Sequence, residues 1–254
     1  MRGFGPMLRK ELLEQWRTRR LLVVAVVFVV LGIGSPFLAR YTAELIEALG
    51  GAPFEIEVPE PMVADAVAQF LRNLGQAGIL TSVLLAMGSV ATEKERGTAA
   101  LILSKPVSRG AYLGTKLVAI GGTLAVGLLL AAVAGYAYTT FLFEAPSAVG
   151  WIGMTALLFL SLLSYAALTF LGSTLTRSVV AAAAIGVGGM IVLAIVASFP
   201  TIAPYLPAGL SGEPAAALAL GTDPGPLLGP IIANLALTTG LALLSWYAFR
   251  HQEL

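Results

Sequence analysis

The sequence predicts an all-α polytopic membrane protein, and two observations carry that prediction. The first is composition: of 254 residues, 57% are hydrophobic and only 11% are charged, against about 25% charged in soluble domains. Mean hydropathy is +0.88. The second is distribution. Six segments, 21–39, 74–92, 117–143, 148–175, 178–199 and 227–249, contain no Asp, Glu, Lys, Arg or His. A bilayer core takes about 20 apolar residues of helix, so each segment is long enough to cross. Lipid offers no partner for bare backbone groups, which makes each crossing helical. A soluble enzyme, a disordered chain and a disulfide scaffold are excluded at once. The chain has no Cys and one His, which argues against thiol catalysis, Cys-ligated metals and His-based triads.

Charge fixes the expected orientation. With the N-terminus in the cytoplasm, 13 of the 15 Lys and Arg residues lie inside, and only Arg40 and Arg72 lie outside. The positive-inside rule favours this arrangement over its mirror image. Both termini are then cytoplasmic, and the chain is a single membrane domain of the cell membrane. Span one reads as a retained signal anchor, because its apolar run exceeds the usual h-region of a cleaved leader.

The elements follow in order. Residues 6–20 read as an amphipathic helix lying in the membrane interface: Leu8, Leu12 and Trp16 recur on one side, opposite Lys10, Glu14 and Arg17. Residues 40–73 form an outer segment. Tyr41 to Leu49 is helix-like, Gly50-Gly51 interrupts it, an extended Pro53–Pro61 stretch follows, and Met62 to Arg72 resumes a helical pattern. These are expected as short helices on the outer surface. Its acids, among them Glu44, Glu47, Glu55, Glu57, Glu60 and Asp65, lack the compact spacing of an oxygen-ligand loop and read as a solvated face. Residues 200–226 hold six prolines yet stay apolar at Tyr205-Leu206 and Ala215 to Leu220. Such a loop should dip toward the membrane as short broken helices, since re-entrant backbone is tolerated under protein cover.

The most informative segment is 93–109, between spans two and three. Glu93, Lys94, Glu95 and Arg96 cluster at its start, and Gly97-Thr98 can end one helix and begin the next, with Thr98 as N-cap. Leu101, Ile102 and Lys105 stand at helical spacing, Pro106 stops that turn, and Ser108 can cap the helix that becomes span three. The pattern predicts a short rigid helix at the cytoplasmic surface, suited to passing force from a soluble partner to the spans. A plain solvated connector needs no such stop and start signals.

Glu-x-Glu-x-Gly-Thr, an apolar pair, then Lys-Pro-Val-Ser-Arg, together with the opening Arg9-Lys10-Glu11-Leu12 helix and, more weakly, Pro61 to Gly78, resembles the type-2 ABC transporter permeases. This family includes relatives found in nitrous-oxide-reductase maturation and in drug and peptide export. The resemblance implies six spans, an N-terminal interfacial helix, and short outer or re-entrant helices before span six. It also implies a coupling helix that docks on a separate ATPase. Carried onto this chain, the coupling role falls on Glu93, Glu95, Arg96, Gly97, Thr98, Pro106, Ser108 and Arg109, and the interfacial helix on Arg9, Lys10, Glu11, Trp16 and Arg17. The implied partners are two copies of a cytoplasmic ABC ATPase, a second permease subunit forming a homodimer, and the bilayer; no nucleic acid is expected. In the family, spans two and five face the path between subunits, which places Met87 and Met190 on its wall.

Three absences agree with that assignment. No Gly-x4-Gly-Lys-Ser/Thr loop is present; Gly110 to Lys116 has similar letters at the wrong spacing. The chain itself is therefore expected to carry no ATPase site, cofactor or metal, with ATP and Mg on the partner. No ionisable residue falls inside the charge-free spans, unlike ion-driven carriers and voltage sensors, and no selectivity-filter motif occurs. Polar groups inside the spans include Ser164, Tyr165 and Asn234. Asn234 stands out as a path candidate, because an amide in lipid is costly without a partner. The small-residue stripes Gly127, Ala131, Gly135 and Ala182-Gly186, Ala184-Gly188 fit either packing inside one subunit or a dimer interface. The leading function is thus the permease subunit of an ATP-driven exporter of hydrophobic or amphipathic cargo. The alternatives are a scaffold that recruits a soluble ATPase, or a permease for sodium or for sulfur or copper-site maturation. An intramembrane enzyme lacks the acids, His or Ser–Lys pairs it needs at membrane depth.

Overall fold

A computed structural model describes residues 3–48 and 60–252. All regular structure among these residues is helical. In chain order the helices are α1 (Phe4–Arg17), α2 (Arg20–Ala48), α3 (Val63–Met87), α4 (Ala91–Glu95), α5 (Thr98–Leu103), α6 (Arg109–Leu142) and α7 (Ala148–Leu175). They continue with α8 (Val179–Val196), a 3-10 turn (Ala203–Tyr205), α9 (Pro207–Leu210), α10 (Glu213–Leu220) and α11 (Leu228–Arg250). Among the described residues, six segments are long and apolar enough to cross a membrane: Arg20–Thr42, Val63–Glu95, Arg109–Leu142, Ala148–Leu175, Val179–Val196 and Leu228–Arg250.

The spans outrun the charge-free segments. Residues 62–72, expected as a separate outer helix, are instead the start of α3, which runs unbroken from Val63. No Gly or Pro interrupts Val63 to Leu74, so nothing stops the helix. Its first turn is fixed by the Asp65 carboxylate, which accepts from the Met62 N–H at 2.8 Å, the return bond of a capping box. α2 likewise continues past Pro36 to Ala48. The Gly50-Gly51 break and the extended stretch from Pro53 lie outside the described residues.

The core is built where small residues let helices close. Gly32 of α2 abuts α6, since a Cβ there would lie 2.6 Å from the Ala131 carbonyl oxygen. The Gly127 and Gly135 positions of α6 admit Val24 and Phe28 of α2 and Phe70 of α3. This stripe is therefore internal packing of one subunit. On α8, Ala182 and Gly186 face α7, with a Cβ at Gly186 landing 2.4 Å from Thr169 Oγ1. Ala184 is exposed, and nothing approaches a Cβ at Gly188. The two α8 stripes thus part company: one is packed inside, the other looks outward.

α7 is the central post, with Met154, Leu158, Leu162 and Phe170 fully enclosed. The 200–226 segment folds back on it. Ser161 Oγ donates to the Pro207 carbonyl at 2.8 Å, and the Ser147 N–H donates to the Ala219 carbonyl at 2.9 Å. Ser161 lies roughly 20 Å along α7 at 1.5 Å per residue, so the segment reaches well down the helix rather than resting on its end. Gly150 makes the approach possible, because a Cβ there would lie 1.7 Å from the Leu218 carbonyl oxygen.

Candidate functional site

Lys10, Lys94, Arg109 and Lys116 gather at one end of the bundle, where α1, α4, α5, the start of α6 and the ends of α7 and α11 meet. α1 sets the geometry. Its inward face is Met7, Glu11 and Gln15, whereas Leu12 and Trp16 are exposed, Trp16 at 69%. An apolar face turned away from the protein core suits a helix in a membrane interface. The polar residues turned inward are part of a charge cluster.

Lys116 of α6 is the centre of that cluster and is only 3% exposed. Its Nζ lies 3.2 Å from Glu11 Oε1 and 3.0 Å from Glu93 Oε1. Lys10 Nζ reaches the same Glu93 oxygen at 2.8 Å and Glu11 at 3.1 Å. The Tyr112 hydroxyl donates to Glu93 Oε2 at 2.5 Å. Burial pulls the Lys10 ammonium toward neutrality, but its bonds to Glu93 and Glu11 outweigh that and hold its pKa above the ordinary lysine value. Glu11, Glu14 and Glu93 bring carboxylate oxygens within 4.8 Å of one another, and the two lysines lie among them as counter-ions. The cluster ties α1, α4 and α6 into one unit. A charge pattern along the chain cannot reveal it, because Glu11 and Lys116 are far apart in sequence; the one available signal was the acid at the third place of the Arg9-Lys10-Glu11-Leu12 motif.

The 93–109 segment grows from this cluster. α4 ends at Arg96, and Gly97 turns the chain with φ 68°, a left-handed conformation that favours glycine. Gly97, rather than the expected Thr98, is the N-cap of α5. Thr98 is the first residue of α5, and its hydroxyl points back to donate to the Glu93 carbonyl at 3.2 Å. α5 presents Leu101 outward at 69% exposure, and Glu95, Arg96, Pro106 and Ser108 are exposed beside it. Ser108 caps α6, its Oγ accepting from the Ala111 N–H at 3.1 Å.

Arg109 and Lys94 turn the other way, into the spans. Arg109 donates to the carbonyls of Phe249 at 2.8 Å, Arg250 at 2.7 Å and Gln252 at 3.1 Å, closing the C-terminus of α11. A guanidinium there meets the negative end of the helix dipole. Lys94 donates to the Thr174 carbonyl at the end of α7 and to Gln252 Oε1. Ser173 Oγ accepts from the N–H groups of Val90 and Ala91 and donates to the Met87 carbonyl at 2.8 Å. The turn between α3 and α4 is thereby pinned to α7. No local pattern pointed to Ser173, Gln252 or Tyr112 in these roles.

The proposed path residues separate. Ser164 and Asn234 meet at 3.5 Å, and Ser164 also shares a 2.8 Å bond with Thr238. Asn234 donates to the carbonyls of Tyr205 at 3.2 Å and Pro230 at 3.0 Å. Its amide is thus fully occupied, holding α11, α7 and the 3-10 turn together. Tyr165 is buried on α7. Met87 and Met190 are half-buried on α3 and α8. Arg9 and Arg17 flank the exposed face of α1.

Six apolar helices, an amphipathic helix beside them and an interrupted helical segment at the basic end define a multi-pass membrane protein of the permease type. Residues 6–213 match the ABC-2 family transporter proteins, and the chain belongs to that family. It is 31% identical over 215 residues to the uncharacterized transmembrane protein YxlG of Bacillus subtilis (strain 168), covering 82% of each chain. It is 32% identical over 123 residues to the probable ABC transporter permease protein NosY of Stutzerimonas stutzeri, covering 48% of this chain and 40% of that one. The protein is therefore a membrane permease component of an ABC transporter, residing in the cell membrane. Permeases of this family are membrane subunits and not ATPases, and the family implies an ATPase partner.

Proposed function

We propose that this chain is the permease subunit of an exporter, driven by two cytoplasmic ATPase subunits that carry the ATP and Mg, and that it works as a homodimer with the basic end in the cytoplasm. The observation that carries the reading is α5. It is short, exposes Leu101, and sits between a left-handed glycine and a proline. Thr98 bonds it to Glu93 of α4, Glu93 and Lys94 of α4 reach α1, α6 and α7, and Arg109, following it at the start of α6, reaches α11. A partner gripping α5 thereby pulls on four long or interfacial elements at once. The outward face of α8, with Val180, Ala184, Gly188, Ile191 and Ile195 in line, supports contact with a second subunit, since small residues let helices approach closely in lipid. Hydrophobic or amphipathic cargo is favoured because the polar groups of Ser164 and Asn234 are spent on each other and on backbone.

The test is co-purification of this chain with the ATPase encoded beside it, followed by mass determination. The expected complex contains two permeases and two ATPases. Leu101→Asp should abolish the complex while leaving the detergent-extracted permease folded. A permease that binds no ATPase sinks the reading.

A further inference from the structure

The corner between α1 and α2 carries arginines that the bundle does not use. Arg17 ends α1, Arg19 makes the turn and Arg20 opens α2, and Arg9 stands two helical turns back on the same exposed side of α1. All four are exposed, and none makes an ion pair among the described residues. The only acid between Leu12 and Arg20 is Glu14, and it lies 3.5 Å from Lys10. Arg19 is set apart by its backbone. Its φ of 57° lies in the left-handed region, where a side chain is strained. Every other positive φ among the described residues belongs to a glycine, at Gly3, Gly97, Gly221 and Gly225. A glycine at position 19 would make the same turn without strain. No ion pair within the described residues offsets the strain at Arg19, and an outlier of this kind points to a role outside the fold. An exposed guanidinium held there suits an anion that the chain does not supply.

The surroundings say which anion. On the α1 side of the corner Leu12, Leu13 and Trp16 are exposed, and on the α2 side Leu22 and Val23 are exposed. The first membrane span opens at Arg20. The corner therefore joins an apolar face suited to the membrane interface to an apolar face that enters the hydrocarbon, which sets its arginines at the level of the lipid phosphates. A guanidinium matches a phosphate with paired, charge-assisted hydrogen bonds. We propose that the Arg17–Arg20 corner, with Arg9 beside it, is a docking surface for anionic phospholipids of the leaflet at the basic end. The net negative charge of that headgroup draws the four arginines together, and the apolar side chains on both sides of the corner pack among its acyl chains. A zwitterionic headgroup brings its own cation to the same place and is held less firmly. Lipid charge thereby sets how tightly α1 is held against the membrane. The surface belongs to α1 and α2 rather than to α4 and α5, and the assignment needs only a bilayer-inserted chain, with no ATPase present.

The full chain is reconstituted alone in nanodiscs of equal phosphatidylglycerol and phosphatidylcholine, released, and weighed by native mass spectrometry. Phosphatidylglycerol is expected to be retained over phosphatidylcholine by about tenfold or more at low salt, since each arginine near an anionic surface contributes about fivefold. The preference should shrink in about 1 M salt, where charges are screened within about 3 Å. Arg19→Gly removes the strain and the charge together. Its unfolding midpoint in pure phosphatidylcholine is expected to equal or exceed that of the parent chain, while its phosphatidylglycerol preference falls about fivefold. Arg19→Lys keeps the charge and should keep most of the preference, and Arg17→Gln should lose about fivefold. Equal retention of the two lipids, or a preference that survives Arg19→Gly unchanged, overturns the proposal. A clear fall in the midpoint of Arg19→Gly in phosphatidylcholine would mean that the side chain serves the fold itself, and also overturns it. Variants that keep the lipid preference yet no longer co-purify with the ATPase would assign the corner to a protein partner and overturn the lipid surface.

Discussion

Replacing Lys116 by Met keeps the length of the side chain and removes the ammonium that lies 3.2 Å from Glu11 and 3.0 Å from Glu93. Two carboxylates then remain in a site with little access to water, and breaking a buried pair in this way costs about 3–5 kcal/mol. Lys10→Met is the matched comparison. Its side chain is 40% exposed, so water compensates for the loss, and the expected cost is within about 1 kcal/mol. Thermal unfolding of the detergent-solubilised chain, followed by size-exclusion fluorescence, should show a large drop in midpoint for the first variant and a small one for the second. Equal drops would mean that the cluster is not organised around Lys116. At this scale the sequence was only partly legible. Lys116 read as the last charge before span three, which is correct as far as position goes. Its burial against Glu11 depends on how α1 packs on α6, and no local pattern encodes a contact between residues so far apart. Asn234 shows the converse. Its cost in lipid was legible, but the carbonyl of Tyr205 that meets this cost became visible only when the 200–226 segment folded inward.

Short elements are defined by their ends, and those ends were the most readable part of the 93–109 segment. Gly97, Pro106 and Ser108 announce a stop and two starts, and the structure places α5 and α6 accordingly. What local signals left open was which residue caps α5. Thr98 has capping chemistry, but the left-handed turn needed to redirect the chain after α4 favours glycine, and the cap moved back by one. Nothing lies within 4 Å of a Cβ at Gly97, so a substitution there meets no steric wall and only backbone strain. Gly97→Ala therefore costs about 1–2 kcal/mol locally, whereas Gly97→Asn, which tolerates the left-handed region, costs less. Ala should lower cargo- or permease-stimulated ATP turnover severalfold with little change in unfolding midpoint, and Asn should restore most of it. Equal activity of the two variants would separate α5 from coupling. The helices of 200–226 were legible as broken and apolar; their depth along α7 rests on Gly150, whose missing side chain is a tertiary requirement that sequence does not label.

Across the whole molecule, six spans were legible because apolar length is a local property, while their grouping was not. The bonds at the basic end divide the bundle into two mechanical routes from α5. One runs through Glu93 and Lys116 to α1 and α6. The other runs through Arg109 and Lys94 to the ends of α11 and α7. The second route bypasses the charge cluster and reaches α11, which is also hydrogen-bonded to its neighbours through the Asn234 knot nearer its opposite end. Besides its packing on α7, α11 is thus hydrogen-bonded to its neighbours near both ends, and Arg109 supplies three of the bonds at the basic end. Arg109→Gln keeps polarity at the site but loses the fixed charge. Charge-assisted hydrogen bonds contribute about 1.5–3 kcal/mol each, so the variant should shift the balance between transport states by roughly tenfold or more. In the proposed exporter the ATPases still dock on α5 and still turn over ATP, but α11 no longer follows. The expected result in proteoliposomes is near-normal ATPase rate with cargo movement per ATP reduced about tenfold. A parallel fall in both rates would place Arg109 in the docking surface instead. Normal transport would show that α11 is not driven from this end.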